Sequence, residues 1–190
     1  MTLERHRVDV RERLERSGLR RSGPGSISWT INREAIVVAG WGRAILLLLA
    51  HPSIAAGVDE HSSFRLSLLT RARRLRSTVA AMQALTFGST EDAIDAAAAI
   101  NTIHDRVNGG AAGASYSAHD PHLLRWVHAS LVESILLTYE RLVGPLTADE
   151  RDEYCAEAAI MEPLLGLPAG WLPRDSASLA SYIRGVHESG

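Results

Sequence analysis

The stretch PHLLRWVHASLVESILLTYERLV, residues 121–143, decides how this chain folds. Asp120 ahead of it is a good N-cap, and Pro121 suits the first helical position, where its missing N–H is no loss. At 100° per residue, Leu124, His128, Leu131, Val132, Ile135, Tyr139 and Leu142 fall on one stripe, while Leu123, Trp126 and Leu137 lie on the opposite side. A helix that is apolar on two faces needs cover on both, so Pro121–Val143 is expected at the centre of a bundle. Gly144-Pro145 ends it.

Working outward, Thr147 and Glu150 form a capping box for a helix ending near Met161-Glu162-Pro163, and Asp175 caps a last helix to about His187. The intervening Leu164–Arg174 segment, rich in Pro and Gly, reads as irregular. Upstream, glycine-rich Gly109–His119 reads as a loop, and Ser89 with Asp92 starts a helix that Gly109-Gly110 stops after Asn108. Leu66–Phe87 is helical with an apolar face of Leu68, Leu75, Val79 and Met82, closed by Gly88. Asn32 caps a helix from Arg33 to about Ala50 that His51-Pro52 ends; its apolar run Ala35–Ala50 reads as a buried core helix, too short to span a bilayer and carrying Arg43. A short helical piece is expected within 53–59. Leu3–Ser17 is charged and precedes the breaker Ser22-Gly23-Pro24-Gly25-Ser26, which suggests a peripheral helix or arm over 1–28 and one domain over 29–190. No run alternates with period two, so no strand is expected, and the fold class is all-α, a single-domain helical bundle.

Composition narrows the chemistry. With 190 residues, 46% hydrophobic and 22% charged, this is a globular chain, and its net charge of −2 gives no general attraction for nucleic acid. All 20 basic residues are arginine, which removes Schiff-base and Walker lysines. The single cysteine, Cys155, allows neither an internal disulfide nor a cysteine-cluster metal site. With no secretory signal in the charged N-terminal stretch, a cytoplasmic location and no membrane span are expected.

A histidine at the middle of the buried stripe, His128, is held neutral by desolvation and so keeps a nitrogen lone pair of the kind a metal takes. The alternative is a core histidine bonded to a backbone carbonyl or a carboxylate. His104 on the preceding helix sits among small residues that permit close approach by another helix or a flat cofactor. Arg71, Arg73, Arg74 and Arg76 form the densest basic run. Arg71, at the border of the buried face, suits a carboxylate such as a haem propionate, or else belongs to a solvated face. Glu133 and Glu140 flank the central helix as partners for His128 or for arginines. No His-Glu-x-x-His or di-iron pattern occurs, and Ser115, Ser117 and His119 lack a nucleophile-elbow context.

Several segments recur together in order: Asn32-Arg33-Glu34-Ala35, His51-Pro52 with Gly57-Val58 and His61-Ser62, Ile103-His104, Tyr116-Ser117-Ala118-His119-Asp120-Pro121, Trp126-Val127-His128-Ala129 and Tyr139-Glu140-Arg141. The set resembles the family that includes the latex-clearing rubber oxygenases and the fungal oxygenase of mycophenolic acid side-chain cleavage. That resemblance implies an all-α fold holding b-type haem, with His128 as the iron ligand. It further implies dioxygen and a hydrophobic or olefinic small molecule as substrates. The rubber oxygenases place a lysine on the distal side; this chain has none, and His104 is the natural substitute as catalytic residue. The expected cofactor-binding set is Arg71, Arg74, Thr78, His104, His128 and Val132. Family members also run on beyond a point such as Gly190, and a homo-oligomer is compatible with the resemblance. The rival readings are a haem-binding or sensing module without turnover and a cofactor-free helical interaction domain.

Overall fold

Several helix starts in this chain are set by side-chain caps. The computed structural model describes residues 1–51, 54–55, 68–111 and 114–189. In chain order the elements are α1 (Leu3–Ser17), α2 (Ile27–Asn32), α3 (Val37–Leu49), α4 (Leu68–Phe87), α5 (Thr90–His104), β1 (Asn108–Ala111), β2 (Ala114–Ser117), α6 (Pro121–Leu142), α7 (Ala148–Ala158), α8 (Met161–Leu165) and α9 (Ser176–Ser189). The expected capping boxes are present: Ser89 with Asp92 opens α5, and Thr147 with Glu150 opens α7. Asp120 accepts from the His122 N–H at the head of α6, and Asp175 accepts from the Ser178 N–H before α9.

The fold is all-α apart from one small hairpin, and α6 is its central element. One side of α6 lies along α3, and α2, α7 and α9 cover others. Trp126, Ala129, Val132, Ile135 and Leu136 of α6 join Ile27, Ile31, Val37 and Ile183 in the main core. The α3–α6 approach depends on Gly40, where a Cβ would stand 2.8 Å from both the Ser134 carbonyl oxygen and Thr138 Oγ1. One turn on, Arg43 donates to Glu133 at 2.8 Å and to the fully buried Ser134 hydroxyl at 2.7 Å. A second cluster joins Val10 and Leu14 of α1 to Leu85 of α4, Ile94 and Ala97 of α5, and Leu164 of α8. The segment read as an arm or peripheral helix is therefore α1, docked on α5 and α8 through the narrow stripe His6, Val10, Leu14.

The structure corrects several expectations. Strands β1 and β2 pair antiparallel with Asn108 opposite Ser117, where a loop and no strands were expected. These strands are too short and too glycine-rich to display a period-two pattern. Consequently α5 stops at His104 rather than Asn108. Asn32 is the last residue of α2 and not a cap for the next helix: its amide donates to the Ser28 carbonyl and to the Tyr154 hydroxyl, while Ser26 caps α2. Helix α3 is buried along one face only, through Val37, Gly40 and Ala44, and Leu46 opposite is 71% exposed. Leu75, expected on the apolar face of α4, is 59% exposed. At the end of the α6 stripe, Leu142 is 62% exposed. Of the helical piece expected within 53–59, Ile54 and Ala55 are helical and the rest lie outside the described residues.

The irregular run after α8 is held by Glu162, which is 1% exposed. Its carboxylate accepts from the Leu172 N–H at 2.8 Å, the Gly170 N–H at 3.1 Å and the Arg174 guanidinium at 2.6 Å. Removing one member of such a buried pair leaves the others unpaired at a cost of about 3–5 kcal/mol. Glu162→Ala should therefore lose about that much in urea unfolding, a large share of the ~5–15 kcal/mol typical of a domain.

Candidate functional site

His128 lies one turn into the buried part of α6 and lines a cavity of about 140 Å³. Leu124, Leu131, Val132 and Ile135 of α6 form one wall, Met82 and Leu85 of α4 another, and Ile160, Met161 and Leu165 close it from α8 and the residue before it. Polar groups enter from the α2 and α7 side: Arg21, Ser28, Asn32, Tyr154 and Glu157. These are fixed by bonds of their own. Glu157 accepts from the Ser28 N–H at 2.8 Å, and Asn32 bonds the Tyr154 hydroxyl at 3.2 Å. Arg21 donates to the carbonyls of Ala84, Leu85 and Gly88, where it satisfies the C-terminal end of α4.

The His128 ring combines both expected behaviours. Its Nε2 stands 3.1 Å from the Ala158 carbonyl oxygen, which makes Nε2 the protonated nitrogen. Nδ1 then holds the lone pair, and it is buried with no partner among the described residues. Burial pulls the ring's pKa from 6.5 down to about 4, against smaller opposing effects of the Ala158 bond and the Glu162 charge. The imidazole is neutral at pH 7. A ring N–H fixed on a carbonyl is the usual support behind a histidine that binds metal through its other nitrogen.

The expected site residues separate into groups. Val132, one turn from His128, lines the same cavity. Thr78 is exposed on α4, one turn before Met82. Arg71 and Arg74 belong to the described backbone of α4, with side chains outside the described residues; the helical period puts positions 71, 74 and 78 on the same face as Met82 and Leu85. His104 and His128 do not share one interior. His104 stacks edge-on against His119 with ring centroids 5.6 Å apart, at the end of α5. Asp105 beside it accepts from the Met1 ammonium, His6 and His119, each at 2.8 Å, and these bonds, the ammonium's first, hold its carboxyl far below the usual range. Burial, then the nearby His119, lowers the His104 pKa from 6.5 to about 4. Glu133 and Glu140 pair across helices with Arg43 and Arg151. Arg21, Asn32, Tyr154 and Glu157 escaped the sequence reading because they come from three separate segments. Only the phase set by the Thr147 capping box hinted at Tyr154.

Residues 29–189 match the family described as ER-bound oxygenase mpaB/B'/Rubber oxygenase, catalytic domain. The chain belongs to this family. It is also 28% identical over 140 residues to the uncharacterized protein Mb2261 of Mycobacterium bovis and to the uncharacterized protein Rv2237 of Mycobacterium tuberculosis. Each alignment covers 73% of this chain and 55% of the relative, so the match spans about half the length of these curated relatives. No solved structure matches the chain. Arg21, which lines the cavity, precedes the family-matched region. Among the described residues no helix is long and apolar enough to cross a membrane.

The donor chemistry of the cavity fits an iron macrocycle. Among the described residues no cluster of three metal-ligating side chains occurs, and a lone neutral histidine suits an ion whose other ligands a macrocycle supplies. The volume resembles the ~150 Å³ that takes a benzene-sized guest, below the roughly 300–1,000 Å³ of ordinary cofactor pockets. A macrocycle is larger than this volume, so holding one requires the cavity walls to separate.

His104 and His128 both tie stability to pH. In the unfolded chain they titrate near 6.5, and in the fold near 4. The unfolded state thus binds more protons between these values, and stability that is complete above pH 6.5 is lost as pH falls toward 4. The loss is on the order of 3 kcal/mol per histidine at most. Urea midpoints measured from pH 7.5 to 4 should fall accordingly, and His128→Leu should flatten part of that slope.

Proposed function

We propose that this domain binds b-type haem through His128 and acts as an oxygenase on a hydrophobic or olefinic small molecule, with dioxygen as co-substrate. The observation that carries this reading is the state of the His128 imidazole: buried, neutral, its N–H on the Ala158 carbonyl and its Nδ1 lone pair without a partner beside an apolar cavity. Membership of an oxygenase family supports it. Haem bound there supplies the redox-active iron that no side chain of this chain provides. The chain's own part is to hold the ligand and keep the site dry. Ala158 fixes the tautomer and the tilt of the His128 ring. Leu131, Val132 and Ile135 on α6 and Met82 and Leu85 on α4 exclude water and receive an apolar substrate. Arg71, Arg74 and Thr78, which share one face of α4 by helical period, are assigned to the acidic edge of the macrocycle, where guanidinium–carboxylate bonds are strong. His104 has no role in this reading, since it lies with His119 and Asp105 away from the cavity lining.

Haemin titrated into the purified chain should produce a Soret band that His128→Ala abolishes or strongly shifts, with helical circular dichroism retained. Loading should also change amide exchange in the helices that wall the cavity. Haem binding of equal strength in His128→Ala overturns the assignment.

A further inference from the structure

Helix α8 separates two concavities. Met161 and Leu165 face the His128 cavity, while Glu162 and Pro163 border a cleft of about 280 Å³ that shares no lining residue with it. Three guanidinium groups line this cleft, Arg13 and Arg16 from α1 and Arg174 from the segment before α9. The one carboxylate among them, Glu162, is buried and already accepts from two backbone N–H groups and Arg174.

Two of the guanidiniums are held in place with donors left over. Arg13 donates through Nε to the Pro163 carbonyl at 2.8 Å. Its guanidinium lies against Gly166, whose φ is +76°; a Cβ there would stand 3.5 Å from Arg13 Cζ. Both terminal nitrogens of Arg13 have no partner among the described residues. Arg174 uses one terminal nitrogen on Glu162 and leaves its other donors free among the described residues. Arg16 stands at the rim, with Glu12 3.8 Å away on its own helix. Asp9 reaches Arg13 only as a longer-range attraction, while Arg16 repels it and burial lowers its pKa. The lining thus holds three guanidiniums and one carboxylate, with Glu12 beside Arg16 outside it, and terminal donors of Arg13 and Arg174 have no partner among the described residues.

We propose that this cleft is a binding site for a small phosphate-type dianion. The lining holds more guanidiniums than carboxylates, and tetrahedral phosphate oxygens accept from several guanidinium forks at once. The phosphate belongs either to a free phosphorylated small molecule or to a lipid headgroup, and both present the same group to Arg13, Arg16 and Arg174.

The test uses the full chain and inorganic phosphate, compared with sodium chloride of equal ionic strength at pH 7.5. About 20 mM phosphate should raise Tm by roughly 3 °C or more, as expected for a ligand well above its Kd. Arg13→Gln should abolish the rise and Arg16→Gln should at least halve it. Arg16 is largely exposed, so its substitution leaves the fold intact and keeps the test decisive even if Arg13→Gln unfolds. Sedimentation with phosphatidylcholine vesicles containing phosphatidate separates the sources: pelleting that phosphate competes away assigns the headgroup, and a Tm rise without pelleting assigns the free anion. No rise beyond chloride in the unaltered chain, or the same rise in both variants, overturns the proposal.

Discussion

A carboxylate out of reach of water organises the C-terminal third of this protein. Glu162 is buried on a helix of five residues that has no side-chain cap and little stability of its own. The charge is tolerable there because the Gly170 and Leu172 amides and the Arg174 guanidinium converge on it. Those three donors belong to a segment with no regular structure, so the ion both draws its stabilisation from that segment and gives it a fixed course. Trp171, placed by the same run, donates its ring N–H to the Pro121 carbonyl and ties this segment to the head of the central helix. Asn101 adds a bond from α5 to the Leu164 carbonyl. Helix α8 is thereby clamped from two sides, and it forms a common wall for the His128 cavity and the arginine-lined cleft.

The central helix supplies the other fixed reference. Its approach to α3 is set by backbone contact at Gly40 and by the bonds of Arg43 to Glu133 and Ser134, which satisfy a hydroxyl that water does not reach. With α3 on one side and α7 and α9 on others, the direction of the His128 ring follows from main-chain geometry and from the Ala158 carbonyl at the end of α7. Helix α4 is joined at its C-terminal end to the N-terminal segment through Arg21, and Leu75 on an earlier turn is exposed.

Much of this architecture is legible in the amino-acid sequence. Caps act within four residues of their own helix, so Ser89 with Asp92, Thr147 with Glu150, and Asp120 with Pro121 mark helix starts that the structure reproduces. The two-faced pattern of 121–143 determines that this helix is central and that His128 is buried and neutral. Family membership is likewise carried by local motifs. Three things were decided only by the tertiary structure. His104 has the same local character as His128, yet it stacks on His119 beside Asp105, because the hairpin turns the chain away after α5. Asn32, a good cap by residue type, instead bonds Tyr154 across 122 positions. The cleft of Arg13, Arg16 and Arg174 joins residues about 160 positions apart, and in sequence each is an ordinary surface arginine. Local periodicity fixes which face of an element is buried, but which elements meet depends on long-range packing and on buried ions finding partners, and no spacing along the chain encodes that.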